Sequence, residues 1–199
     1  MLRMDKANVF YLDDLQHSLR VANLALKLSE KVNLSQDAKK NIYLSAILHD
    51  IGKAYISRNI LYKQEPLSEY ERHIIELHPI YSALDAYLKG YSEEIVQNIL
   101  YHHECFDGSG YPSGIKGADI PIGARIIKIC DVYDALVSDR PYRKALSCNE
   151  ALSVIEMEKQ KYDPFLYNTF INNVDIFGGQ VGPWDDIVLE PVQISATSD

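Results

Sequence analysis

Apolar residues recur along this chain at spacings of three and four, the period of a helix that buries one face, and nowhere alternate long enough to seed a sheet. Leu12 to Val32 reads as an amphipathic helix, with Leu15, Leu19, Ala22, Leu26 and Leu28 at helical spacing and Asp13 or Asp14 placed near its N-terminus. Ser35 caps a second helix carrying Ile42, Leu44, Ala46, Ile47 and Leu48. It ends at His49-Asp50-Ile51-Gly52, with Gly52 as its C-terminal stop. Residues 54–66 form a connection with one short turn over 57–61. Ser68 to Leu77 is helical, Pro79 opens a helix to Lys89, and Ser92-Glu93-Glu94 starts one that runs to Tyr101. A long loop covers Glu104 to Ile120, because Asp-Gly, Ser-Gly and Tyr-Pro in succession cannot continue a helix. Pro121 to Val137 is a helix with an apolar, β-branched core face. Ser147-Cys148-Asn149-Glu150 resembles a capping box for a helix to Gln160, and Pro164 to Asn173 is the last helix. From Asp175 onward helical periodicity is lost and Gly and Pro become frequent. The pattern therefore predicts an all-α domain over residues 1–174, followed by an extended or partly disordered tail over 175–199.

Composition narrows this picture. A chain of 199 residues is long enough to bury a proper core as one domain. Its net charge of -8 excludes a protein that tracks along polymeric nucleic acid, though not one that holds a small anion on metal ions. It has no apolar run long enough to span a bilayer, and its first residues lack the apolar core of a signal peptide. Three cysteines without a CxxC pair argue against a disulfide framework and fit a reducing cytoplasm. The sequence leaves self-association as a homodimer and a regulatory or sensor partner open.

Five of the six histidines, His17, His49, His78, His102 and His103, lie on or at the end of predicted helices beside apolar positions. A lone histidine there is more often a hydrogen-bonded core residue. Five of them, with Asp50 and Asp131, would leave many buried polar groups to satisfy unless cations gathered them. Adjacent residues on a helix diverge by roughly 100°, so His49 and Asp50 can straddle a pair of ions with Asp50 bridging. Asp13 and His17 share a helix face, as do Asp131 and Asp134. Asp13, Asp14 and Asp134 also suit ordinary solvated positions. His73, among Glu69, Glu71 and Arg72, reads as solvent-facing.

The motifs HSLRVANLA, HDIGK from His49, HP at His78, HHECFDGSGYP from His102 and IPIGARIIKICDVYDALVSDRPYRKAL from Ile120 resemble, in order, those of the HD-GYP subgroup of HD-domain phosphodiesterases. The resemblance covers roughly residues 14–170. It implies a helical bundle with a GYP loop over two or three metal ions, commonly iron or manganese. It also implies hydrolysis of the bacterial messenger cyclic di-GMP to pGpG or GMP. By this resemblance His17, His49, Asp50 and Asp131 hold one ion, and Asp50 with His78, His102 and His103 holds a second. Lys53 matches the family lysine beside the cluster, Tyr111 the GYP tyrosine, and Arg140 and Arg143 the positions of ligand-contacting basic residues.

Two departures matter. Members with a third metal carry Glu one turn before the first His, where this chain has the shorter Asp13, so two ions are expected. The segment after HDIGK reads Ala54-Tyr55-Ile56-Ser57 where an Ile-Pro is usual. The family also joins this domain to a sensor or receiver domain. With sixteen residues before His17, the chain acts alone, answers to a partner, or is a fragment.

The mechanism expected from these residues is attack on phosphorus by a hydroxide bridging the two metals, with Asp50 fixing their separation and Lys53 neutralising charge. Tyr111, Arg140 and Arg143 would contact substrate. The alternatives are the same chemistry on another cyclic dinucleotide or nucleotide, and a non-catalytic effector that only binds the dinucleotide.

Overall fold

The computed structural model describes residues 6–139 and 143–174, with side chains from residue 15 onward. Its helices are α1 (Lys6–Lys31), α2 (Gln36–Leu48), α3 (Arg58–Leu61), α4 (Glu69–Ile75), α5 (His78–Leu88), α6 (Glu93–Leu100), α7 (Ile122–Val137), α8 (Cys148–Met157) and α9 (Pro164–Ile171). Short 3₁₀ segments cover Ile51–Tyr55, Gly117–Asp119 and Lys159–Lys161. No strand occurs among the described residues, so the all-α reading holds. The expected tail over 175–199 lies outside them, as do Arg140 and the side chains of Asp13 and Asp14.

Helix starts follow local chemistry. Ser35, Ser92 and Ser147 each accept a backbone N–H of the first turn, and Ser68–Glu71 and Ser147–Glu150 form reciprocal capping boxes. Pro79 and Pro164 occupy first-turn positions, where a missing N–H costs nothing.

The core lies where α1, α2 and α7 meet. Val21, Ala22, Ala25 and Leu28 of α1 pack with Ile42 and Ala46 of α2 and Ile126, Ile127, Ile129 and Cys130 of α7, closed off by Ile155, Leu166 and Phe170. A second cluster joins α5 to α6 through Ala83, Ala86, Ile95 and Ile99. β-Branched residues are mediocre helix formers, but here burial on several sides of α7 outweighs propensity.

Three details differ from the sequence pattern. α1 begins at Lys6, so Asp13 and Asp14 lie within it rather than near its start. Its leucines define only part of the buried face: Leu28 is buried as the spacing predicts, but Leu15 is exposed, and Ser18, Ala22, Ala25 and Ser29 line the rest of the buried stripe. Small residues win because they let α1 come close to α2 and α7. Gly52 is no helix stop either; it sits in the 3₁₀ turn after α2. A Cβ there would lie 2.2 Å from the His78 carbonyl and 2.5 Å from the Ser82 amide, so glycine is required for close approach to α5.

Candidate metal centre

Five histidines reach one buried volume from four places. His17 comes from the middle of α1, His49 from the end of α2, His78 from the start of α5, and His102 and His103 from the turn after α6. His17, His49, His78 and His102 are all buried.

Three of these rings are aimed by the same device. The carbonyls of a helix's last turn have no intrahelical partner. His49 Nδ1 lies 2.7 Å from the Ala46 carbonyl, His78 Nδ1 2.8 Å from that of Ile75, and His102 Nδ1 2.6 Å from that of Ile99. A carbonyl only accepts, so each Nδ1 donates its proton outward and each ring turns its Nε2 toward the interior. His17 is set differently: its Nδ1 lies 2.7 Å from Asp134 Oδ2, and Arg20 pairs with the same carboxylate at 2.7 and 3.0 Å.

These inward-facing nitrogens and oxygens crowd one another. His78 Nε2 lies 3.4 Å from His102 Nε2, 3.1 Å from His103 Nε2 and 3.2 Å from Asp50 Oδ1. Asp50 Oδ2 is 3.4 Å from His49 Nε2 and 3.8 Å from His17 Nε2, and Asp131 Oδ1 is 3.1 Å from His17 Nε2. His49 Nε2 and Asp50 Oδ1 are buried without a hydrogen-bond partner. Lone pairs turned on lone pairs in a dry interior are costly unless a cation sits among them. The donors fall into two groups, Asp50 with His78, His102 and His103, and His17 with His49 and Asp50. Asp50 belongs to both, one oxygen turned to each, and Asp131 lies beside the second group. Imidazole and carboxylate donors of this kind suit divalent transition metals.

Protonation follows the surroundings. Burial pushes His102 and His103 well below the ordinary histidine value, which keeps them neutral. Burial also opposes charge on Asp50 and Asp131, but the histidines and Lys53 around Asp50, and His17 beside Asp131, hold both well below the usual carboxylate range. Burial disfavours a charged His17 too, yet its bonds to Asp131 and Asp134 overcome this and raise it to about 9.

The other sequence candidates are placed as follows. Lys53 Nζ is 2.5 Å from Asp50 Oδ2, on the same 3₁₀ turn. Tyr111 stacks on His103, with centroids 4.7 Å apart and an interplanar angle of 26°. Arg143 is turned away from the cluster: its guanidinium donates to the carbonyls of Ala135 and Leu136 at 2.5 and 3.1 Å, tying off the end of α7. His73 is exposed, as its acidic neighbours suggest. Arg140 and the carboxylate of Asp13 lie outside the described residues and side chains.

Sequence reasoning undervalued two acids and their partners. Asp134 suits a solvated position by pattern but is 2% exposed, held by His17 and Arg20. The available signal was a second acid, three residues after Asp131, on an apolar β-branched helix. Glu104 is also buried; its Oε1 accepts the Ser113 and Gly114 amides at 2.7 and 3.0 Å. Its place between the histidine dyad and the glycine-rich turn was the hint.

A family model described as HD domain matches residues 9–166. The chain belongs to the HD-domain family. Among curated relatives of this HD domain, the 3′3′-cGAMP-specific phosphodiesterase 1 of Vibrio cholerae is 35% identical over 160 residues, 79% of this chain and 37% of the relative. A cyclic di-GMP phosphodiesterase of Pseudomonas aeruginosa is 35% identical over 164 residues, 81% of this chain and 39% of the relative. The HD domain thus spans less than half the length of these relatives. Its fold is shared with an HDG"Y"P protein from Bdellovibrio bacteriovorus, with a TM-score of 0.68 and 19% identity, covering 81% of this chain and 52% of that one.

Proposed function

We propose that this HD domain, with the HD-GYP motifs from His102 to Pro112, hydrolyses a phosphodiester of cyclic di-GMP to give pGpG or GMP. The observation that supports this reading best is the inward-facing acceptor set. Nε2 atoms of His102 and His103 and a carboxylate oxygen of Asp50 converge on His78 Nε2 at 3.1 to 3.4 Å, with the Nδ1 protons of His78 and His102 donated to outer carbonyls. Such a set fits two divalent ions, iron or manganese, one held by His78, His102, His103 and Asp50, the other by His17, His49, Asp50 and Asp131. Bound there, they would neutralise a phosphate and acidify a water molecule.

The chain's own residues supply the rest. Asp50 fixes the separation of the two donor groups. Lys53, tethered to Asp50, brings a cation to the edge of the cluster, where it would offset charge growing on the phosphate or the departing 3′ oxygen. Arg140 and the hydroxyl of Tyr111 are the proposed contacts to the dinucleotide. Arg143, its guanidinium occupied at the end of α7, acts on the substrate only indirectly. A nucleotide messenger places this activity in the cytoplasm, consistent with three free cysteines among the described residues. We further propose that the domain answers to a regulatory or sensor partner and self-associates as a homodimer.

A second reading, the same hydrolysis on 3′3′-cGAMP, is favoured by the name of the Vibrio cholerae relative. Metal analysis of anaerobically purified protein, with kcat/KM for both dinucleotides, tests the two together. Two ions per chain and turnover of cyclic di-GMP, both lost in Asp50→Ala, are expected. A higher kcat/KM on 3′3′-cGAMP would move the substrate assignment. A loaded protein that binds either dinucleotide and cleaves neither would make it an effector.

A further inference from the structure

His103 is oriented unlike the other four rings. Each of those has its Nδ1 bonded to a carbonyl or carboxylate. Among the described residues nothing bonds to Nδ1 of His103. Its main-chain carbonyl takes a bond from Lys128 Nζ at 3.3 Å, which places the backbone, and its Nε2 meets His78 Nε2 at 3.1 Å, but no hydrogen bond fixes the ring from its outer side. The Tyr111 ring lies on that imidazole. Tyr111 belongs to the loop, and the loop is pinned beside His103. Glu104, the next residue, accepts the Ser113 and Gly114 amides with one buried oxygen. Gly110 packs flat on the same main chain: a Cβ there would come 2.3 Å from the Cys105 amide nitrogen and 2.5 Å from Glu104 Cα. The order is thus ring, loop, anchor, and both ends start from adjacent residues.

We propose that Tyr111 and Glu104 are positioning residues for His103: Glu104 ties down the loop, and the tied loop holds the Tyr111 ring against the imidazole, doing by stacking what a hydrogen bond at Nδ1 does for the other four rings. Tyr111 then spends one ring face on the protein and keeps its hydroxyl for a ligand. The inference rests on the proposed metal site but not on any turnover at it.

The test is a manganese(II) titration by calorimetry, with amide hydrogen exchange at Ser113 and Gly114. It uses the full chain and the variants Tyr111→Leu, Tyr111→Phe, Glu104→Ala and Glu104→Gln. Second-group partners of metal ligands typically matter by 10- to 100-fold, so Tyr111→Leu should weaken one of the two manganese sites by at least about tenfold. Tyr111→Phe, which keeps the ring, should bind within about twofold of the parent, well inside that range. Glu104→Ala should speed exchange at both amides and weaken the same site. Glu104→Gln, which keeps an acceptor oxygen of the same reach, should do neither. Native affinity in Tyr111→Leu, or unchanged exchange and affinity in Glu104→Ala, overturns the proposal. So does an equal loss in Tyr111→Phe and Tyr111→Leu, which would assign the effect to the hydroxyl. Equal loss in Glu104→Gln and Glu104→Ala likewise overturns it, since charge rather than the loop bonds would then matter. If the parent binds two ions and hydrolyses no dinucleotide, the functional reading fails while these comparisons still decide this one.

Discussion

At the scale of single residues, the site depends on which nitrogen carries a proton. A backbone carbonyl three residues back takes the Nδ1 proton of His49, His78 and His102, so those rings already face the cluster through Nε2. His17 is the exception, since two acids share it and raise it to about 9. At neutral pH in the metal-free protein its Nε2 is protonated toward Asp131, and an ion must displace that proton. Metal affinity at this group is therefore expected to rise with pH until about 9 and level off above it, as measured by manganese titration across pH. Asp134→Asn should lower the His17 pKa, followed by NMR of the ring, because one of the acids that raise it is gone. By weakening the carboxylate–imidazole pair it should also cost roughly 10- to 100-fold in metal affinity. Lone Lys or Asp substitutions on the solvated faces of α1 or α4 should do neither.

At the scale of elements, the site is a product of helix ends. α2, α4 and α6 each end just before a histidine of the candidate metal centre, and each end has a spare carbonyl to aim it. The contact between the 3₁₀ turn and α5 keeps two of those ends in register. Gly52 N–H donates to Ser82 Oγ at 2.8 Å, and the glycine leaves no room for a side chain against His78. Gly52→Ala is expected to destabilise the fold by about 1–3 kcal/mol, seen as a lower Tm. It should also weaken metal binding at the His78 group, because the α5 start must move. Ser147→Ala offers the contrast. It removes the cap of α8 and should cost about 1 kcal/mol of stability while leaving metal affinity unchanged, since α8 carries no ligand.

At the scale of the molecule, the chain gathers five histidines and two aspartates inside a bundle that is otherwise apolar, and the metal-free protein carries the consequence. His102 and His103, held neutral by burial, contribute stability that is present above about pH 6.5 and lost as pH falls, because the unfolded chain then takes up protons that the folded one refuses. His17 has the opposite sign: its contribution is complete below about 6.5 and lost as pH rises through about 9. The metal-free Tm is therefore expected to peak near the ordinary histidine value of about 6.5, falling below it through His102 and His103 and above it through His17, in a pH series. Metal should raise the Tm at every pH where it binds, by about 4 kcal/mol of stability at a thousandfold excess over Kd, and a chelator should reverse this. No helix among the described residues is long and apolar enough to cross a membrane.

Helical period, the serine caps, the first-turn prolines and the break at Asp107-Gly108 are local, and each was legible from neighbours in the chain. Local chemistry also picked out His17, His49, Asp50, His78, His102, His103 and Asp131, because polar groups on apolar faces stand out against their surroundings. Three outcomes needed the packed chain. Asp134 became buried, and a partner of His17, because α1 lies against α7; no spacing within α7 contains that fact. Arg143 turned to the end of its own neighbouring helix, a choice between acceptors that only distance makes. Glu104 and Tyr111 came to flank His103 because the loop folds back across the dyad. Periodicity states which residues leave the solvent; which buried groups then meet is fixed by how close the helices can come, and here the small residues of α1 and the bare backbone of Gly52 set that distance.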